Sequence, residues 1–189
     1  MPYVPEWSPL GIRVDRIGQV YLTNVEKDKT SVMVVTLSNG LVSGTAKSQV
    51  LVQVGASGTG DGQLSFPNSA LADSKGRIFV SDGNNGRISV WDHQGKFLYN
   101  FGRGTGEGAL SLPRGMVIDQ YDRLYVVDAV GQNIKVYDVS GPQPRFLYVF
   151  GDYGAEDGLF NYPNDIALDN SGRLYIVDRE NNRLQVWSY

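Results

Sequence analysis

Cysteine is absent from this 189-residue chain, and histidine occurs once, at His93. Without thiols there are no disulfides and no thiolate metal sites, and the redox compartment is left open. No apolar run reaches the roughly 18 residues of a membrane-crossing helix, so no membrane insertion is expected. The start, MPYVPEWSPLG, lacks the basic residues and apolar run of a signal peptide, which predicts either a leaderless or a trimmed chain. No 3.6-residue periodicity lasts three turns, so essentially no helix is predicted. Positive charge is also in short supply: 17 Lys and Arg stand against 20 Asp and Glu, net −3, with a pI of about 5.1. A nucleic-acid surface needs concentrated Lys and Arg to displace counterions, so no nucleic-acid partner is expected. There is no G-x-S-x-G nucleophile elbow.

What the chain does have is glycine (23), tyrosine (11) and an internal repeat. Pro67, Pro113 and Pro163 are spaced by 46 and 50 residues, and Asp82, Asp128 and Asp178 repeat the same intervals. Between these anchors the segments align: NSALAD, RGMVID and NDIALD; then GRIFVSD, DRLYVVD and GRLYIVD; then RISVWD, NIKVYD and RLQVWS. KFLYNFG and RFLYVFG add a fourth piece to the first two of these copies. A diverged copy precedes them, with Pro9, LGIRVD, GQVYLTN, SVMVVTL and SQVLVQVG. Its extra length falls mainly in LSNGLVSGTAKSQ, with a smaller excess in EKDKT.

Each piece is short, rich in Val, Ile, Tyr, Phe and Trp, and bounded by Gly, Asp, Asn or Pro, which are strand signals. Four short strands repeated about every 45 residues are the signature of β-propeller blades. One blade cannot bury both faces of its sheet, and stacking on neighbours can. The reading is therefore one all-β domain over residues 1–189, with blades at about 9–55, 56–102, 103–151 and 152–189. The stretch GTGDGQLSFPNSALADSKGRIFVSDGNNGRISVWDHQGKFLYNFG resembles the NHL repeat, and the two later copies are similar to it in register. The resemblance covers essentially the whole chain. It implies an NHL-type β-propeller, a fold that serves mostly as an interaction platform and hosts many functions.

Most candidate chemical residues fall in repeated columns. Asp15, Asp73, Asp119 and Asp169 are each followed three residues later by Gly18, Gly76, Asp122 or Gly172. That is the pattern of a hairpin turn whose Asp accepts backbone N–H groups. Asp82, Asp128 and Asp178 end second strands, with Asn24 in the first copy. Arg87 and Arg183 lie five residues after two of them, with Asn133 and no clear counterpart in the other two copies, predicting a clamp that ties a loop to its blade. Asp61, Glu107 and Asp157 sit in the Gly-rich connections between blades, and GDYGAEDG carries Asp152, Glu156 and Asp157. Calcium wants more converging oxygens than these loops offer, so no metal is expected. G-x-G-x-x-A in GRGTGEGA is followed by a Pro and a strand, not the helix a dinucleotide fold requires, so no cofactor is expected. One histidine cannot build the multi-histidine zinc site of the amidating lyases, which share this propeller type.

Columns that vary on the channel-mouth face are the binding candidates, because nothing architectural constrains them. One reads Leu10, Asn68, Arg114, Asn164, and the next Gly11, Ser69, Gly115, Asp165. Nearby loops add Asn84, Asn85, Glu180, Asn181 and Tyr153, while Phe66, Leu112 and Tyr162, each before a repeat Pro, read as interblade packing. The last blade stops at RLQVWSY without its outer strand, and PYVPEW is the only candidate to close it. The chain is accordingly a closed four-bladed ring, a piece of a larger propeller, or an arc completed by another chain or a second copy. The expected function is non-catalytic protein binding or scaffolding, in an extracytoplasmic setting by preference. A metal-dependent lactonase or lyase is the alternative, and an RNA-binding platform is disfavoured by the acidic pI.

Overall fold

Fifteen strands form in the computed structural model, which describes residues 7–37 and 48–188. Blade 1 comprises β1 (Pro9–Val14), β2 (Val20–Asn24), β3 (Ser31–Leu37) and β4 (Ser48–Val54). Blade 2 comprises β5 (Pro67–Ala72), β6 (Ile78–Asp82), β7 (Arg87–Trp91) and β8 (Phe97–Phe101). Blade 3 comprises β9 (Pro113–Ile118), β10 (Arg123–Asp128), β11 (Asn133–Asp138) and β12 (Arg145–Phe150). Blade 4 has β13 (Pro163–Leu168), β14 (Leu174–Asp178) and β15 (Arg183–Trp187) and no fourth strand among the described residues. Every sheet is an antiparallel meander in chain order. The four sheets stand in a ring about a common axis, with β1, β5, β9 and β13 innermost. This is the predicted all-β propeller; its helical content among the described residues is a single 3₁₀ turn at Gly83–Asn85.

The turn between first and second strands explains why the Asp column repeats. Asp73 Oδ1 accepts the backbone N–H groups of Lys75 and Arg77 at 3.0 and 2.8 Å, and Gly76 turns the chain at φ 75°. Asp15, Asp119 and Asp169 accept the same pair of N–H groups in their own turns. The second carboxylate oxygen takes the Nε of the Arg four residues on, from Arg77, Arg123 and Arg173. Blade 1 has Gln19 at that position, and the Tyr21 hydroxyl donates to Asp15 instead. Each turn carboxylate thus fixes both the backbone and a side chain covering the blade.

The hydrophobic core is divided into layers between blades. Tyr21, Val32, Val34 and Val54 of blade 1 meet Leu64, Ala70, Ile78 and Val80 at blade 2. Phe79, Ile88 and Val90 meet Leu110, Met116, Leu124 and Val126 at the next junction. Tyr125, Val127, Ile134 and Val136 meet Phe160, Ile166, Leu174 and Ile176 at the third. Both faces of blades 2 and 3 are therefore buried, which is why their second and third strands read as unbroken apolar runs. No such layer joins blade 4 to blade 1 among the described residues. On blade 1's outer face, Val20, Leu22 and Val35 pack with Trp7 and Met33. Most of the proposed closing strand, residues 1–6, and residues 38–47 of the insertion lie outside the described residues. Of the closing segment, Trp7 and Ser8 are held by blade 1: Ser8 N–H donates to Asn24 Oδ1 at 2.9 Å.

Candidate functional site

The loops at the channel mouth are anchored by a carboxylate at the end of each second strand. In blade 2, Asp82 is fully buried and accepts Arg87 Nε at 2.8 Å, the Asn85 amide at 2.8 Å and Ser65 N–H at 2.6 Å. Arg87, equally buried, donates onward to the Gly60 and Gln63 carbonyls, tying the interblade loop to the sheet. Blade 4 repeats this arrangement: Asp178 accepts Arg183 Nε at 2.7 Å, the Asn181 amide at 2.9 Å and Asn161 N–H at 2.8 Å. Burial alone would raise the Asp178 pKa, but these bonds and one from Gln185 outweigh it and hold the carboxyl below its usual 3.8.

Blade 3 reaches the same end by another residue. Its Asp128 accepts Ser111, Leu112 and Gly131 N–H groups, and its cation is Lys135, two positions further along the strand than the Arg column. Residues two apart in a strand share a face, so the ammonium reaches the carboxylate at 2.9 Å. Blade 1 uses no charge. Asn24 accepts Ser8 and Glu26 N–H groups and donates to the Lys29 carbonyl, and Ser31 stands in the Arg column. The space a guanidinium fills in blades 2 and 4 is here an open hollow of about 360 Å³, lined by Ser31, Gln53, Gly55, Lys29 and Trp7 among others.

At the channel mouth, Leu10, Gly11, Ile12, Arg13, Asn68, Arg114, Gly115, Asn164 and Asp165 line one cavity of about 190 Å³. The two variable columns thus converge on one place. Arg114 donates to Asn68 Oδ1 at 3.1 Å and to the Tyr162 hydroxyl at 3.3 Å, its guanidinium 5.7 Å from the centre of that ring. Its Nε is buried without a partner. Arg179 lies 5.5 Å from the same ring and pairs with Glu180. Tyr162 is therefore a platform for two cations, and Phe66 is exposed, so neither is the simple interblade packing expected of this column. The Asn164 side chain has no protein partner among the described residues. Two glycines are required by close approach: a Cβ on Gly115 would lie 2.1 Å from Asp165 Oδ1, and one on Gly11 2.0 Å from the Asn68 carbonyl oxygen.

Arg13 was not singled out in the sequence, yet its guanidinium crosses to Asp165 and also reaches toward the Met116 carbonyl at 3.4 Å. A signal was present: it occupies a column filled elsewhere by Leu71, Val117 and Ala167. Of the loop residues, Asn85 and Asn181 spend their amide donors inside the clamps, on Asp82 with the Gly58 carbonyl and on Asp178 with the Gly154 carbonyl. Asn84, Glu180 and Tyr153 are exposed in the surrounding loops. Among the described residues, no three of His, Asp and Glu gather as a metal site would need. No helix of the described residues is long and apolar enough to cross a membrane.

The NHL repeat family matches residues 160–187, and a family described as a 6-bladed beta-propeller matches residues 59–148. The chain is similar to NHL repeat-containing protein 3 of Homo sapiens, 29% identical over 85 residues, or 45% of this chain and 22% of that protein. It is 38% identical over 53 residues to Protein lin-41 of Caenorhabditis elegans, 28% of this chain and 4% of that protein. The chain spans only a minor part of either relative. Its fold is similar to that of streptogramin B lyase, with a TM-score of 0.61 and 15% identity, covering 99% of this chain and 56% of that one. It is also similar to a putative 6-phosphogluconolactonase from Bacteroides uniformis, with a TM-score of 0.63 and 15% identity, covering 94% and 52%. At such identities the likeness is one of fold alone.

Proposed function

We propose, from the premise that this chain is an NHL-repeat β-propeller, that it is a non-catalytic platform binding a protein partner at the channel mouth. The observation carrying this reading is the division of labour between columns. Carboxylates repeated from blade to blade are consumed by turns and clamps, while the columns that vary converge on one polar cavity. That cavity, at about 190 Å³, is below the ~300 Å³ at which small-molecule pockets begin. It suits one or two inserted side chains better than an enclosed substrate. Asn68, Arg114, Asn164 and Asp165 are the proposed contact residues at its centre, with Asn84, Glu180 and Tyr153 around it. Arg and aromatic groups presented together are the usual composition of protein-recognition surfaces.

Selection of a phage-displayed peptide library on the immobilised protein tests this. Peptides enriched on the wild type should be lost on the Arg114→Ala, Asp165→Ala double variant, at a melting temperature within a few degrees of wild type. Equal enrichment on both proteins would move binding to another surface. The similarity to lyase and lactonase propellers supports a second reading, a divalent-metal enzyme of the same architecture. A calcium-dependent rise in melting temperature of the purified chain would favour it over the platform.

A further inference from the structure

Charge is not balanced at the channel mouth. Asp165 is paired with Arg13, and Glu180 with Arg179. Arg114 has no carboxylate partner among the described residues; its contacts are Asn68 and Tyr162. The mouth thus keeps one cation in surplus, on a chain whose net charge is −3. That cation is also held still. Arg114 stands on β9 of blade 3, and its two terminal nitrogens are pinned by Asn68 of blade 2 and Tyr162 beside blade 4. The Asn68 amide is fixed in turn by the Phe66 carbonyl at 3.0 Å, and Tyr162 N–H donates to Gln132 Oε1 at 2.6 Å. A guanidinium offers five N–H donors, and these bonds occupy one on each terminal nitrogen. The other N–H of each terminal nitrogen has no partner among the described residues, and the buried Nε has none either. Most of the fork is unspent.

The cavity that Arg114 lines is the size of a side chain, about 190 Å³. Its wall from blade 1 is aliphatic, with Leu10 46% and Ile12 58% exposed, and Asn164 adds an unpartnered amide. The one carboxylate in the lining, Asp165, has its charge offset by Arg13, and its Oδ1 also accepts the Ile166 N–H. We infer that the mouth takes an acidic side chain, an Asp or Glu of the partner protein, with its carboxylate on Arg114 and Asn164 and its stem against Leu10 and Ile12. This rests on the reading of the mouth as a protein-binding platform and names what that platform recognises. Orphaned buried donors are rare in folded proteins and call for a partner. A carboxylate brings only acceptors, in the planar arrangement a guanidinium fork matches best. Asn68 and Tyr162 then serve by positioning Arg114.

Peptides selected on the immobilised protein from an N-terminally displayed random library test this, because their sequences report the chemistry they carry. They should share an Asp or Glu. In a synthetic, C-terminally amidated copy of the most enriched peptide, changing that residue to Asn or Gln should weaken binding about tenfold or more, the loss of one charge-assisted contact. On Arg114→Gln protein the same peptide change should cost less than about twofold, because the two changes remove one shared contact. If Arg114→Gln fails to fold, Arg114→Lys replaces it; this variant keeps the charge without the fork and should retain only part of the preference. Enriched peptides that share no acid, yet are lost on the Arg114→Ala, Asp165→Ala double variant, overturn this inference and leave the platform standing. An acid whose removal costs the same on both proteins also overturns it. A library that yields no enriched peptide overturns both readings. A single-stranded RNA oligonucleotide that binds through Arg114 more tightly than any selected peptide overturns it in favour of a phosphate ligand.

Discussion

Replacing Arg87 by Ser removes a guanidinium that is 1% exposed and leaves Asp82, which is fully buried, without its cation. Removing one partner of a buried pair costs about 3–5 kcal/mol, because the remaining charge is uncompensated. Within this chain blade 1 supplies the natural comparison, since Asn24 and Ser31 occupy the same two positions and need no ion. The double variant Asp82→Asn, Arg87→Ser copies that arrangement into blade 2. It still loses the bonds to the Gly60 and Gln63 carbonyls, worth about 1 kcal/mol each, but no charge is stranded. The single variant should therefore be less stable than the double, although it carries fewer changes. For a chain of this length each kcal/mol shifts the melting temperature by about 2–4 °C, so the single variant should melt roughly 6–20 °C below wild type. Urea unfolding at one fixed protein concentration measures the order. A double variant no more stable than the single, or a single variant within about 1 kcal/mol of wild type, would refute a buried, charge-dependent clamp.

Arg183→Ser removes the equivalent group from blade 4, where the guanidinium is 26% exposed, so that its loss opens the buried carboxylate to water; it should cost only about 1–2 kcal/mol, checked in the same unfolding series. The depressed pKa of Asp178 stabilises the fold above its unfolded value near 3.8, and that contribution is lost as pH falls through the lower folded value. Between pH 5 and 3 the wild-type melting temperature should fall further than that of Asp178→Asn, and equal slopes would count against the carboxylate's role. Gly115→Ala forces a methyl onto Asp165 and its backbone at the mouth, for about 1–3 kcal/mol of overpacking, whereas changes confined to the exposed Tyr153 should leave chemical denaturation unchanged.

The strands and turns were readable in the sequence because their causes are local. An Asp followed three residues later by a Gly, or a run of β-branched residues between turns, needs no distant partner to be recognised. The blade 2 and blade 4 clamps were readable for a similar reason, since Asp and Arg keep a constant spacing across one hairpin. Lys135 was not, because the cation had moved two positions along the strand and only the pleat shows that it still faces Asp128. Arg13 was missed because its partner is three blades away, though its charge in an aliphatic column marked it. The recognition columns were aligned by the repeat, but their meeting in one cavity depends on blade curvature, which no single repeat encodes. Likewise, the engagement of Asn85 and Asn181 in the clamps follows from loop geometry. Composition alone left those amides looking available.

The uncharged lock of blade 1 gives the molecule a direction. Asn24 has no proton to gain, whereas the lock of blade 4 depends on a carboxylate held ionised by its neighbours. Acid therefore loosens one end of the array and leaves the other latched. Since each blade leans mainly on the next, disassembly at low pH should travel from the C-terminal sheet inward, so that amide exchange quickens in β13–β15 before it quickens in β1–β3.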